Sequence, residues 1–217
     1  MHVKKQPVAG VDIPDSSMAN AACELIQGIQ PLLLFNHSNR VFLFAVLIGE
    51  HHRVLFDAER LYIAALFHCM GLTSLYQPSL NRFEVDSAHA AREFLKGYGY
   101  SGSEIAQVWD AVALHTTPGI AEHKSPLVAL LAAGVEMALF GRHVQALKAA
   151  ELTMILEAFP KEAGFKRDLL SILHKALSHR PTQEIGSLDD DVRAHFDRQF
   201  KRANFCDLLV EDDWWVE

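Results

Sequence analysis

The sequence has little of several things that would each have pointed to a class of protein. Three cysteines, Cys23, Cys69 and Cys206, are few, widely spaced and odd in number for 217 residues. That is not a disulfide framework, and it suits free thiols in a reducing cytoplasm. There is no basic block or stripe, and a formal net charge of -7 argues against a nucleic-acid footprint. Residues 1–15 contain Lys4, Lys5, Asp12 and Asp15 and lack the apolar core of a secretory signal. The apolar stretch from Pro31 to Ile48 is interrupted by Asn36, His37, Asn39 and Arg40, so no membrane span is expected there. Strand-like alternation of useful length, internal repeats and low-complexity segments are all missing. So are a glycine-rich phosphate loop, a Gly-x-Ser-x-Gly turn and a His-Glu-x-x-His helix.

What is present is helix. Half of the residues are hydrophobic and 22% are charged, as in an ordinary globular protein, and the length allows one substantial core or two small ones. After a lead-in broken by Pro7, Gly10 and Pro14, apolar spacing predicts a helix from Ser17 to about Ile29, ended by Pro31. Asn36 reads as the cap of a helix from His37 to His52, and Asp57 as the cap of one that carries Leu61 through Met70 and stops at Gly71. Residues 71–85 read as an irregular connection placed to act as a lid. Further helices are expected from Asp86 to Tyr98 and, after the capping-box spacing Ser101 to Glu104, as far as His115. Others follow over Ser125 to Phe140, Val144 to Ala158, Phe165 to Ser178 and Leu188 to Lys201. The expected fold is a single all-α domain: lead-in 1–16, helical core 17–142, and a helical extension 143–217 packed on that core.

The chemistry on offer concentrates in twelve histidines. His37 opens one apolar helix, and His68 closes another beside Cys69, a placement that helix packing could converge into a three-point constellation. The alternative reading is that each histidine is satisfied by a backbone carbonyl, since no metal motif is matched by spacing alone. At a helix end, His115 suits either a capping role or a polar place in a pocket. His51, His52, His89, His123, His143, His174, His179 and His195 lie at polar termini or among charged or small residues and are expected at the surface. The row Asp189-Asp190-Asp191 lacks the alternating ligands of a calcium loop and reads as helix-start charge. Spacing gives no support to Cys69 as a nucleophile with His115 as its base.

Several stretches together resemble a known family. Asn36-His-Ser-Asn-Arg40 and Ala64-Ala-Leu-Phe-His-Cys-Met-Gly-Leu72 are similar to the first two motifs of HD-domain proteins. Arg82-Phe-Glu-Val-Asp86, Trp109-Asp-Ala-Val-Ala-Leu-His-Thr-Thr-Pro-Gly119, Ala133-Gly-Val135, Gly164-Phe-Lys-Arg167 and Asn204-Phe-Cys-Asp-Leu208 resemble the cyanamide hydratase-like branch. The resemblance implies a helical bundle with one divalent metal, zinc or iron, held by a histidine, a His-Asp pair and a later aspartate. Metal-activated water then adds across a nitrile or hydrolyses an ester. Carried over by position, the ligands are His37 and His68, with Cys69 in the place of the paired aspartate and Ala138 in that of the last one. Glu136, about 200° round the helix from Ala138, is a poor substitute. His115, Asp86 and Arg40 are the implied catalytic residues, and Thr116 and Thr117 would orient a small polar ligand.

Three readings stay open on the sequence: a degenerate site on a retained scaffold that serves as a binding or interaction module, a Cys-His-His metal site with Cys69 as thiolate, and metal-free chemistry recruiting His115, Asp86 or Cys69. The expected partner is a small molecule in the cytoplasm, without nucleic acid or membrane. An apolar helical surface and Trp214-Trp215 are open to homo-oligomerisation or to packing on their own domain.

Overall fold

The computed structural model describes residues 6–181 and 188–202. Lys4, Lys5, Cys206, the 204–208 stretch and Trp214-Trp215 lie outside the described residues. Among the described residues the fold is all-α: α1 Ser17–Ile29, α2 Leu32–His51, α3 Ala58–Phe67, α4 Phe83–Lys96, α5 Gly102–Leu114, α6 Pro126–Phe140, α7 Ala149–Ala158, α8 Phe165–Leu177 and α9 Leu188–Phe196. Local chemistry sets several of the ends. The Asp57 side chain accepts from the Arg60 amide at 2.9 Å to start α3. Ser101 and Glu104 form the full capping box of α5. Pro126 opens α6, and Gly141, at φ 71°, closes it in the left-handed conformation that glycine adopts without penalty.

Helix α2 is the centre of the bundle and begins earlier than the sequence predicts. Asn36 is not its cap. Pro31 takes that place at φ -55° and ψ 148°, and its carbonyl accepts from the Leu34 and Phe35 amides. His37 therefore lies in the second turn, within the packed interior. An 18-residue window of α2 is long and apolar enough to cross a bilayer, but 83% of that window is buried inside the fold, as in the core helix of a bundle. Helix α6 crosses α2 so closely that a Cβ at Gly134 would sit 2.5 Å from the Val41 carbonyl oxygen. Helices α3 and α5 complete the main core, with α1 and α4 packed outside them.

The segment after α3 also departs from expectation. Helix α3 ends at Phe67, His68 is its cap, and the chain turns through a 3-10 turn, Met70–Leu72. Gly71 is needed for space rather than as a stop, because a side chain there would overlap the Phe83 carbonyl. Helix α4 starts at Phe83, three residues before Asp86, which shortens the irregular segment. That segment is fastened down rather than lid-like. The fully buried Arg180 donates to the Gly71 carbonyl at 2.9 Å, to the Asn81 carbonyl, and to Asp86 Oδ2 at 2.8 Å. A second apolar cluster joins Leu34, Cys69, Leu72 and Phe83 to Ala176 and Leu177 of α8 and Val192 of α9. Helix α7 begins at Ala149, after a 3-10 turn over Val144–Ala146, and α9 stops at Phe196.

Candidate metal centre

Helices α3 and α5 end in the same way. His68 caps α3 and His115 caps α5, both in right-handed helical conformation, and each turns its ring back onto the carbonyl three residues earlier. Nδ1–H of His68 donates to Ala65 O at 2.7 Å, and Nδ1–H of His115 to Val112 O at 2.6 Å. A carbonyl can only accept, so the proton is fixed on Nδ1 and Nε2 keeps its lone pair in both rings. The two rings meet edge to face with centroids 5.0 Å apart. From α2, His37 brings a third ring to within 5.2 Å of His68, and its Nδ1 is buried without a hydrogen-bond partner. Cys69 follows His68, and its thiol donates to His68 Nε2 at 3.2 Å. The helix-capping and cluster roles that the sequence left as alternatives are thus both filled. His37, His68 and Cys69 offer ligand atoms that all lie within 4.8 Å of one another.

Burial keeps this cluster uncharged. It lowers His37 well below the usual imidazole value, helped by the nearby charges of His68, Arg40, His115 and Lys161. Burial, then the neighbouring His115, takes His68 down to about 3. His115 is lowered by burial as well, against the opposing pull of Glu84 and the Val112 bond. The Cys69 thiol is pushed up by burial. At neutral pH the site is three neutral imidazoles and a thiol, which is the protonation state in which histidine can ligate a metal.

The other candidate residues fall into place around it. Arg40, one turn beyond His37, is fully buried; its Nη1 donates to Phe159 O at 2.9 Å and Pro160 O at 2.8 Å. Thr116 donates its hydroxyl to Glu84, whereas for Thr117 only backbone bonds are formed. Asp86 makes its contacts elsewhere. Its carboxylate is taken by Arg180 at 2.8 Å, Ser79 at 2.9 Å and Asn81 at 3.1 Å. The carboxylate beside His115 belongs to Glu84, two residues away and fully buried. Burial would raise Glu84, but its bond to Arg82, the neighbouring His115 and the Thr116 bond hold it below the usual carboxylate range. Glu84 lies in the same Arg82–Asp86 stretch, where the sequence alone points to Asp86; the early start of α4 puts both on the helix and turns them to different sides.

Two further features escaped the sequence. Ala138 is buried, and its backbone carbonyl accepts from Lys161 Nζ at 2.7 Å. Asp189, Asp190 and Asp191 lie in the first turn of α9, as helix-start charge is expected to, but Asp189 and Asp190 are buried and of the three only Asp191 is exposed, paired with Arg202 at 2.8 Å. Burial and the nearby Glu84 push Asp189 up to about 6. Glu136 turns outward to Arg142 and His143, as its position on the helix requires. The remaining histidines among the described residues are exposed or half-buried.

A family model described as HD domain matches residues 34–158, which is more than half of the chain and includes all three candidate ligands. No curated protein matches the chain. The match, the all-α bundle and the converging histidines agree, and the chain belongs to the HD domain family, whose members typically bind divalent metals.

Proposed function

We propose that this chain is a metal-dependent hydrolase or hydratase of HD type that acts with water on a small polar molecule, in keeping with the cyanamide hydratase-like motifs it resembles. The observation that carries this reading is the approach of His37, His68 and Cys69 to within 4.8 Å, with the helix-capping bond of His68 made by Nδ1 so that Nε2 faces Cys69. Two imidazoles and a sulfur form a donor set for zinc rather than for a hard, oxygen-seeking ion. Cys69 stands where an HD pair would have its aspartate, and would ligate as thiolate in exchange for its proton. When bound, such an ion supplies Lewis acidity to water and to the group under attack. The chain's own residues do the rest. His115, neutral at pH 7, offers Nε2 to accept a proton from water, and Glu84 beside it stabilises the charge that results. Glu84 also holds the Thr116 hydroxyl at the same helix end.

One observation favours a second reading, an HD scaffold retained as a ligand-binding or interaction module. The ligand set contains no carboxylate, and Arg40 and Lys161 place positive charge beside His37, which opposes a divalent ion. Metal content decides between them. Protein purified without added metal should carry stoichiometric zinc, and Cys69→Ala should lose it. If neither sample holds metal or takes it up on titration, the metalloenzyme reading is lost. Our reading also takes the protein to be cytoplasmic, with residues 143–217 extending the 17–142 core in one domain.

A further inference from the structure

The two fully buried arginines of this chain are treated very differently. Arg180 is neutralised by Asp86 and shared among backbone carbonyls. Arg40 has no carboxylate partner among the described residues. Only its Nη1 is used, by Phe159 O and Pro160 O, while Nε and Nη2 are buried without hydrogen-bond partners. An unpaired buried guanidinium is costly, and leaving two of its donor atoms unmade adds to the cost. A second cation makes the arrangement worse. The Arg40 guanidinium lies 5.1 Å from the centroid of the Phe165 ring and the Lys161 ammonium 5.5 Å from the same centroid, and His37 packs on that ring as well, at 6.2 Å. Among the described residues Lys161 too lacks a carboxylate partner, and its side chain bonds there to the Ala138 carbonyl. In a chain of net charge -7, two cations lie against one aromatic ring that His37 also touches, with no counter-ion among the described residues.

We propose that Arg40 and Lys161 form an anion subsite beside His37 that takes a small oxyanion, carboxylate or phosphate, carried by the ligand. Guanidinium Nε and Nη2 are the pair of donors that binds two oxygens of such a group side by side. Lys161 adds a point charge from the loop between α7 and α8, and Phe165 keeps both cations at a fixed spacing. This inference rests on the imidazole cluster being the ligand site, but not on metal being bound.

Full-length protein in the presence of chelator should be titrated calorimetrically with inorganic phosphate and, separately, with acetate. We expect saturable binding of one of them, weakened at least about tenfold in Lys161→Met by loss of a charge-assisted bond and unchanged in Lys175→Met. Arg40→Lys, which keeps the charge and removes the forked donors, should weaken it too. The anion that binds more tightly identifies the group as phosphoryl or carboxylate. No saturable binding of either by the folded parent protein, or equal affinity in folded Lys161→Met, overturns the proposal. With chelator present throughout, failure here is distinct from failure of metal uptake in the Cys69→Ala comparison.

Discussion

Asp86 stands in the sequence as a catalytic candidate and in the structure as half of an ion pair, and the two roles separate cleanly in Asp86→Asn. Arg180 and Asp86 side chains are 1% and 4% exposed and 2.8 Å apart, so the charge left on Arg180 could not be taken up by solvent. Breaking a buried pair by removing one partner costs roughly 3–5 kcal/mol. The lower end applies here, because Arg180 keeps the carbonyls of Gly71, Asn81 and Ala176 as acceptors. A loss of about 3 kcal/mol at a urea slope of about 2 to 3 kcal/mol per molar lowers the midpoint by about 1 to 1.5 M without changing the slope. Asp86→Ala/Arg180→Met should cost less than the sum of its two single variants, since neither charge is then left alone. Metal content and anion affinity per folded molecule should match the parent protein. A midpoint shift below about 0.3 M, or a loss of metal by fully folded Asp86→Asn, would refute the assignment.

Three further outcomes are expected. Gly134→Ala places a methyl against the Val41 carbonyl at the α2–α6 crossing and should cost about 1–3 kcal/mol in chemical denaturation, with wild-type stability counting against that close approach. Asp189 has its folded-state value raised to about 6 from 3.8, so the stability that its protonation confers is complete below pH 3.8 and is lost as pH rises through 6. Asp189→Asn should therefore flatten the stability–pH curve between about pH 4 and 7, and an unaltered curve would show that the carboxylate is not held protonated. Cys69→Asp combined with Ala138→Asp supplies a carboxylate at both positions where the resemblance puts an anionic ligand. Divalent-ion affinity should rise above that of the parent protein in competition with a chelator, and a double variant that binds no better would mean that Ala138 does not occupy the ligand position.

Much of the fold was legible because local signals carried it. Asp57 and Ser101 cap the helices that the sequence has them open, and Pro31 follows the end of α1 as expected. The start of α2 was missed because Asn36 is a good cap in isolation, whereas Pro31 and the fully buried Leu34 extend the helix through tertiary packing. His37, His68, Cys69 and His115 were readable from their places at helix ends and on apolar stripes. Glu84 was not, since two carboxylates two residues apart on a helix face opposite ways, and only Arg180, ninety-four residues on, shows which one is taken. Lys161 lies in a short loop after Pro160 and carried no signal. Nor did the burial of Asp189, which depends on how α9 packs on α8.

The double service of His68 and His115 bears on how such a site would decay. Each ring holds the C-terminal carbonyl of a core helix with one nitrogen and faces the cluster with the other. A lineage drifting away from metal chemistry can discard its acceptor-only carboxylates at small cost to the scaffold, because those groups tie no helix end. It cannot as easily discard these imidazoles, whose removal frays α3 and α5. Ligands would then disappear in a set order, with carboxylates first and histidines last.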